Sequence, residues 1–220
     1  MLFRVLPLVC AAVAAVSGAA VDPRWSTSYN DQVDAVLNRV KLYGPQMGLD
    51  PMPLPDINRT VSVDFLFEKL SAGATNTQGV LQGGTTLRRT GNATARVEGS
   101  AVYVQADVDF VNLDYVYTSR VEFLGLSTSG QVTGSINDLV LNMTLKVDLS
   151  GSTHAEEELS DLTVKNTGGL TVHFDNGMTL LDELIDAISD EFTEIFKNNI
   201  VSYVQPEIKK AVEYAIKKID

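Results

Sequence analysis

The strongest constraint on the fold is a helical pattern that fills the last part of the chain. From residue 179 to 219, apolar side chains recur every three or four positions, and Thr179 with Asp182 resembles a capping box at the start. Such a helix would be about 60 Å long, whereas a compact domain of about 200 residues is on the order of 40 Å across. The sequence predicts a kink at Pro206. It also predicts either an elongated domain or a helix that breaks at Pro206 and folds back.

The middle of the chain, residues 61–174, has a period of two instead. Apolar and polar residues alternate most clearly at 102–110 and 139–149. This alternation predicts antiparallel strands with one apolar face turned away from water, called the dry face below. Between Phe110 and Val111 the apolar positions change from even to odd, so a turn or bulge is expected there. Breaks between strands are predicted at Gly83-Gly84, Gly91, Gly99, Gly130 and Gly168-Gly169.

The N-terminal part of the chain divides into three segments. Residues 1–20 combine Arg4, an apolar stretch and small residues up to Ala20, which is typical of a secretory signal peptide. Residues 28–43 predict an amphipathic helix that stops at Gly44-Pro45, and residues 50–56 form a Pro-rich connector. We therefore expect a mature chain of residues 21–220, folded as a single domain and secreted.

Composition narrows the class of protein further. The only cysteine, Cys10, lies in the predicted signal peptide, which excludes disulfide scaffolds, thiol catalysis and cysteine zinc sites from the mature chain. The net charge of -11 argues against nucleic acid as a partner. No later stretch approaches the ~20 apolar residues of a transmembrane anchor. Sequons at Asn58, Asn92 and Asn142 are candidate N-glycosylation sites.

The two periodic regions together predict the architecture. The apolar stripe runs along nearly all of the C-terminal helix, and the only other large apolar surface is the dry face of the strands. We therefore expect an α+β fold in which a curved antiparallel sheet wraps around the long helix, with a short N-terminal helix added.

This order of parts resembles the group 7 mite allergens and, more distantly, the juvenile-hormone-binding, takeout-like and bactericidal/permeability-increasing proteins. The stretches that carry the resemblance are NDQVDAVL at residues 30–37 and GGLTVHFDNGMTLLDELIDAISDEFTEIFK at 168–197. Hormone-binding and takeout relatives usually carry paired cysteines near the mature N-terminus, and residues 21–43 have none, which favours the group 7 branch. The resemblance implies a tubular lipid-binding fold with no catalytic residues and an arthropod source.

Polar residues give little support for an enzyme. His154 beside Glu156, Glu157 and Glu158 is interpreted as a solvated loop rather than a metal site, and His173 lies in a predicted strand. Asp107 and Asp109 could stand ~7 Å apart, but alternating acids are typical of the wet face of a strand. Gly83-Gly84 is read as a turn, because no GK[ST] follows it. The sequence predicts no catalytic residue, metal or cofactor.

The apolar faces are the feature with functional content. They predict a seam, between sheet and helix, lined by Phe65, Phe67, Val104, Val108, Phe110, Leu113, Tyr115, Tyr117, Leu141, Met143, Leu145, Leu184, Ile188, Phe192 and Phe196. One hypothesis is a secreted carrier or sensor that binds a lipid-like molecule there. The alternative is an interaction or pattern-recognition protein with a closed core. Neither hypothesis defines an oligomeric state.

Overall fold

The computed structural model describes residues 24–65, 68–150, 156–175 and 182–218, with side chains described except at 24–28, 61, 63–65, 68–70 and 182–192. Within these ranges the chain forms a helix, nine antiparallel strands and a second helix. The fold is α+β, with a large antiparallel sheet, a short N-terminal helix and a long C-terminal helix, as the sequence predicts. The predicted signal peptide, Phe67, His154 and the capping residue Thr179 lie outside the described residues.

Helix α1 spans Arg24–Tyr43 and so begins before the predicted residue 28. Its apolar residues follow helical spacing and form one buried stripe: Tyr29, Val33, Val36, Leu37 and Val40. The stripe packs on strand β4 (Leu87–Glu98) and on the C-terminal helix α2 (Asp182–Lys217).

The stop signal at Gly44-Pro45 ends α1, and a short 3-10 helix, Gly44–Met47, follows it. Gly48 then reverses the chain in the left-handed conformation, with φ of 75°, which glycine adopts without steric cost. The following Asp50 is tied to the turn before β4, because its carboxylate accepts hydrogen bonds from the Gly83 amide at 3.2 Å and the Thr85 hydroxyl at 2.8 Å.

The strands are β1 (Met52–Leu54), β2 (Ile57–Phe65), β3 (Glu68–Gln82), β4, β5 (Ala101–Phe110), β6 (Asp114–Phe123), β7 (Leu126–Asp148), β8 (Glu156–Leu170) and β9 (His173–Phe174). Pairing therefore begins at Met52 rather than at residue 61. β1 lies inside the Pro-rich connector and pairs with β3, and a proline is tolerated there because β1 is an edge strand.

The glycine signals have mixed outcomes. Gly83-Gly84 and Gly99 lie between strands, as predicted. Gly91 and Gly130 do not separate strands: Gly91 sits at an irregular part of β4, and Gly130 lies within β7, paired with Ser119 of β6. Gly168-Gly169 also lies inside a strand, β8. A glycine within a paired strand can mark a bulge or a close approach of another backbone as well as a strand end. The breaks predicted at these glycines are therefore wrong.

Strand β7 is 23 residues long and belongs to two sheets. Its first part pairs with β6 on one side and with β9 on the other, and β3, β2 and β1 extend this first sheet beyond β6. Its second part pairs with β5 and β8, and β4 extends this second sheet beyond β5. The two sheets are therefore joined through one continuous strand.

Along β7, the buried positions change from even-numbered to odd-numbered residues where the two sheets meet. Ile136 and Leu139 of β7 are both buried, and Asp138 between them has a φ of 60°, which turns the strand by one position. Gly168 of the neighbouring β8 has a φ of 68°, and a Cβ atom there would lie 1.9 Å from the Asn137 carbonyl oxygen. Only glycine fits this contact.

The predicted turn between β5 and β6 lies beside this bend, at residues 111–113. Leu113 is fully buried, and its carbonyl accepts a hydrogen bond from the Ile136 amide at 2.8 Å. Val111 was grouped with the apolar face of β6, and this is wrong: it lies in the turn and is 61% exposed.

Helix α2 is continuous over 36 residues, a length of about 54 Å. It passes through Pro206 without ending, so the alternative of a broken helix that folds back is wrong. Beside this proline, the Gln205 amide donates a hydrogen bond of 2.8 Å to the Leu162 carbonyl of β8. The contact covers an edge of β8 that pairs with no other described strand.

The described part of α2 buries one face along its length: Phe196, Ile200, Val201, Val204, Ile208, Ala211, Val212, Ala215 and Ile216. These side chains belong to a single core cluster with the dry faces of both sheets and with α1. At the far end, Tyr214 meets Tyr43 of α1 edge to face, with ring centroids 5.7 Å apart. Neither described helix is long and apolar enough to span a membrane.

Candidate ligand-binding seam

The seam is the buried layer between α2 and the dry faces of the sheets. The structure buries these predicted lining residues in one cluster: Val104, Val108, Phe110, Leu113, Tyr115, Tyr117, Leu141, Met143, Leu145 and Phe196. Phe67 and the side chains of Phe65, Leu184, Ile188 and Phe192 lie outside the described part of the chain. All ten described residues are at most 9% exposed, so they line a covered layer rather than an open groove.

The lining from the second sheet is built by register. Val104 of β5 pairs with Leu145 of β7, and Val108 pairs with Leu141, so these pairs repeat along one face of the two strands. Cross-strand apolar pairs of this kind stabilise a sheet by about 0.2–1 kcal/mol each relative to alanine. This part of the seam is a continuous aliphatic wall.

The lining from the first sheet is aromatic. Phe196 of α2 lies 5.9 Å from Tyr115 and 5.5 Å from Tyr117, measured between ring centroids, and the two tyrosines are 6.4 Å apart. The phenol of Tyr115 donates to the Thr171 carbonyl at 2.8 Å, and that of Tyr117 donates to the Pro55 carbonyl at 3.1 Å. Burial raises the pKa of both phenols above its usual range, so they remain neutral donors.

Two polar residues on the same dry face were missed by the sequence reasoning. Asn76 of β3 and Ser119 of β6 pair directly across the strands, and each is only 1% exposed. Neither side-chain atom of the Asn76 amide has a hydrogen-bond partner among the described residues. The available signal was parity, because Asn76 continues the alternation that buries Ala72 and Ala74.

Asp107 and Asp109 lie on the outer face, as the sequence reasoning interpreted them, and each has its own cation. Lys165 and Asn142 both donate to Asp107, and Arg88 forms two hydrogen bonds with Asp109, at 2.7 and 3.1 Å. The hydrogen bond from Lys165, with that from Asn142, lowers the pKa of Asp107. The lowered pKa keeps Asp107 ionised, whereas the general acid of a glycosidase needs a raised pKa.

The three sequons have different surroundings. Asn58 of β2 and Asn92 of β4 are exposed, whereas Asn142 of β7 is half-buried. The Asn142 amide nitrogen donates to Asp107 at 2.7 Å, and its oxygen accepts from Gln105 at 2.7 Å. The polar face predicted for Asn142 is correct, but its side chain is already held by two neighbours.

The acidic run near His154 is not a loop. Glu156, Glu157 and Glu158 begin strand β8, and the interpretation of this run as a solvated loop is wrong. Glu157 is half-buried, and burial raises its pKa, an effect that the charge of Arg39 on α1 partly offsets. Among the described side chains, no three His, Cys, Asp or Glu residues are placed to hold a metal ion.

A surface pocket of about 320 Å³ lies over the first sheet and is lined in part by Asp114, Ser135 and His173. The Ser135 hydroxyl donates to the Asp114 carboxylate at 2.6 Å, and His173 is exposed. A serine nucleophile needs a base that takes its proton and is itself held in place by a third group. Here the Ser135 hydroxyl donates to the Asp114 carboxylate and not to His173. The three residues therefore do not form a catalytic triad.

This architecture is the fold of lipopolysaccharide binding protein. The crystal structure of that protein matches 85% of this chain, with a TM-score of 0.50 and 13% sequence identity. This chain covers 38% of that protein, so it spans well under half of its length. The crystal structure of Epiphyas postvittana Takeout 1 matches 84% of this chain and 90% of its own, with a TM-score of 0.49 and 14% identity. A search of curated proteins gives no match.

The sequence profile of the group 7 allergens matches residues 28–216, which is most of the chain. The protein therefore belongs to the group 7 allergen family, as its helix and strand patterns predict.

Proposed function

We propose that the protein is a secreted, non-enzymatic carrier or sensor that binds a lipid-like ligand in the seam between the sheets and α2. The observation that carries the proposal is the continuous apolar layer formed by both sheets and by the described face of α2. The fold supports it, because the lipopolysaccharide binding protein that shares this fold is named for an amphiphilic ligand.

Apolar burial alone supplies enough free energy for this function. A buried methylene group contributes about 0.8 kcal/mol, so about fifteen methylenes contribute ~12 kcal/mol. After an association cost of about 4 kcal/mol, this corresponds to a dissociation constant of about 1 μM. Such a ligand needs few polar contacts, in keeping with a lining in which Asn76 and Ser119 are the buried polar residues among those described.

A second candidate function has its own support. The cluster of Tyr115, Tyr117 and Phe196 fills its part of the seam with rings in contact, and the described lining is covered. A closed core of this kind suits an interaction protein that binds another macromolecule through its surface. The two candidates differ in one measurable property, the uptake of an apolar ligand.

Strand β3 offers variants that separate the candidates. Ala74 is 2% exposed on the dry face, and Ser71 of the same strand is exposed on the opposite face. Ala74→Leu adds volume inside the seam, and Ser71→Leu adds a similar volume outside it. We expect Ala74→Leu to reduce ligand uptake at least tenfold and Ser71→Leu to leave it unchanged.

The measurement uses the full chain secreted from a eukaryotic host, analysed by native mass spectrometry and lipid extraction. Copurified lipid near one equivalent, or uptake of N-phenyl-1-naphthylamine by the delipidated protein, supports the carrier. A clean ligand-free mass together with no dye uptake favours the closed interaction protein. N-terminal sequencing of the secreted product tests cleavage after residue 20.

A further inference from the structure

Asn76 is the least expected side chain in the seam. It lies at the centre of the first sheet, paired with Ile57 of β2 on one side and with Ser119 of β6 on the other. It is 1% exposed, and both polar atoms of its amide lack a partner in the described part of the chain. Buried polar groups in proteins are nearly always hydrogen-bonded, and each exception calls for a physical explanation.

The surroundings of Asn76 place its amide in the seam. The buried residues of β3 alternate through Ala72, Ala74 and Asn76, so the amide is on the dry face. Ser119 is the cross-strand neighbour of Asn76 on β6. Tyr117 lies two residues before Ser119, and its ring packs against Phe196 of α2. Asn76 therefore lies between the aromatic cluster and the part of the dry face where Ala72 and Ala74 pair with Phe123 and Val121.

Resting on the proposed function, we infer that Asn76 anchors the polar end of the ligand, and that this end is an uncharged hydroxyl or amide group. An asparagine amide offers donors and an acceptor side by side. A hydroxyl group and a carboxamide both complement this pair, because each can accept from the nitrogen and donate to the oxygen. The ligand class is thus a long-chain alcohol or fatty amide rather than a fatty acid anion.

Charge is the reason for excluding the anion. A carboxylate beside Asn76 would accept from the amide nitrogen but would face the amide oxygen without a proton to share. A buried charge also needs a paired cation. The basic residues closest by register are Arg59, opposite Ala74, and Arg120, opposite Thr75, and both are exposed.

The test compares three ligands of equal chain length: hexadecan-1-ol, hexadecanamide and hexadecanoate. Each displaces N-phenyl-1-naphthylamine from the delipidated full-length protein at pH 8, where the acid is ionised. The wild type should bind the alcohol and the amide at least tenfold more tightly than the carboxylate. Asn76→Leu, which has a similar volume and no polar atoms, should lose about tenfold in affinity for the alcohol and the amide.

The matched control is Thr75→Leu, since Thr75 directly precedes Asn76 in β3 and is exposed on the opposite face. It should bind all three ligands as the wild type does. Circular dichroism checks that both variants are folded. A readout without any substitution is the NMR signal of the Asn76 side-chain NH₂ group, which should shift when hexadecan-1-ol is added.

The outcomes separate the anchor from the function. If Asn76→Leu binds the alcohol and amide as tightly as the wild type and gains thermal stability, the anchor is wrong although the carrier stands. If the wild type binds hexadecanoate most tightly and Arg59→Gln removes that binding, the uncharged ligand class is wrong. If neither the dye nor any of the three ligands binds, the proposed function fails and the anchor fails with it.

Discussion

Phe196 of α2 stacks on Tyr115 of β6, with ring centroids 5.9 Å apart and ring planes 22° from parallel. Phe196 is fully buried, so its replacement by alanine leaves a cavity that neighbouring side chains fill only in part. We expect Phe196→Ala to lower the free energy of unfolding by about 3–5 kcal/mol, measured by urea denaturation.

The matched control for this variant is Tyr214→Ala on the same helix. Tyr214 also contacts an aromatic ring, that of Tyr43, but it is 38% exposed. Its loss should cost no more than about 1.5 kcal/mol. Equal effects of the two substitutions would contradict the central position assigned to Phe196.

Leu124 holds a conformation that a leucine rarely adopts. It forms the turn between β6 and β7 with Gly125, and the two residues have φ values of 50° and 80°. Positive φ at both positions is the geometry of a type I′ turn, which favours asparagine and glycine. Leu124 is also 65% exposed, so it gains little from burial. We expect Leu124→Asn to raise the free energy of unfolding by about 1 kcal/mol.

Leu126 provides the comparison for the turn. It is 66% exposed, beside the same turn, and it is not among the residues with positive φ. Leu126→Asn should therefore change stability by less than about 0.5 kcal/mol. A gain of the same size at both positions would assign the effect to lost exposed apolar surface instead of backbone conformation.

Glu157 gives the protein a pH dependence of definite sign. Burial raises its pKa in the folded state above the ordinary value of 4.5, so the folded protein binds this proton more tightly than the unfolded chain. The resulting stability is present below pH 4.5 and is lost as the pH rises through the raised folded-state pKa. In thermal melts recorded from about pH 4 to about pH 7, the wild type should lose stability relative to Glu157→Gln as the pH rises.

Asp107 should give a pH dependence of stability with the opposite sign in the same thermal melts. Hydrogen bonds from Lys165 and Asn142 lower its folded-state pKa below the ordinary value of 3.8. Its stabilisation is present above that value and is lost as the pH falls through the lowered pKa. Relative to Asp107→Asn, the wild type should therefore lose stability on acidification. The same sign for both comparisons would contradict the described surroundings of at least one carboxyl group.

The sequons should differ in occupancy. At Asn142 the amide nitrogen that would carry a glycan donates to Asp107, whereas Asn58 and Asn92 are exposed. We expect peptide mass spectrometry of the secreted protein to find glycans at Asn58 and Asn92 and none at Asn142. Full occupancy of Asn142 would mean that its contacts with Asp107 and Gln105 do not form in the mature protein.

Periodicity was sufficient to predict the main elements. The stripe through Ile200, Val204 and Ile208 identifies the long helix, because only a helix places such residues on one face. The change of parity after Phe110 predicts a turn by the same reasoning, and residues 111–113 connect β5 to β6. The ten described lining residues are buried because the apolar faces of the strands and of α2 cover one another.

Features set by pairing between distant strands were not predictable in this way. Gly130 resembled a strand end, but pairing with Ser119 of β6 carries β7 through it. β1 was hidden among prolines, because an edge strand needs a partner on only one side. The burial of Asn76 was not predicted, because its parity with Ala72 and Ala74 indicates a buried position only once the pairing of β3 with β6 is known.

The shared strand β7 also has a consequence for how the protein melts. Each sheet would need its own complete set of strands to persist alone, but β7 contributes hydrogen bonds to β6, β9, β5 and β8 at once. Disruption of one sheet therefore removes the central strand of the other. The chain should unfold as one cooperative unit, with a single transition that reports on both sheets and with equal calorimetric and van't Hoff enthalpies.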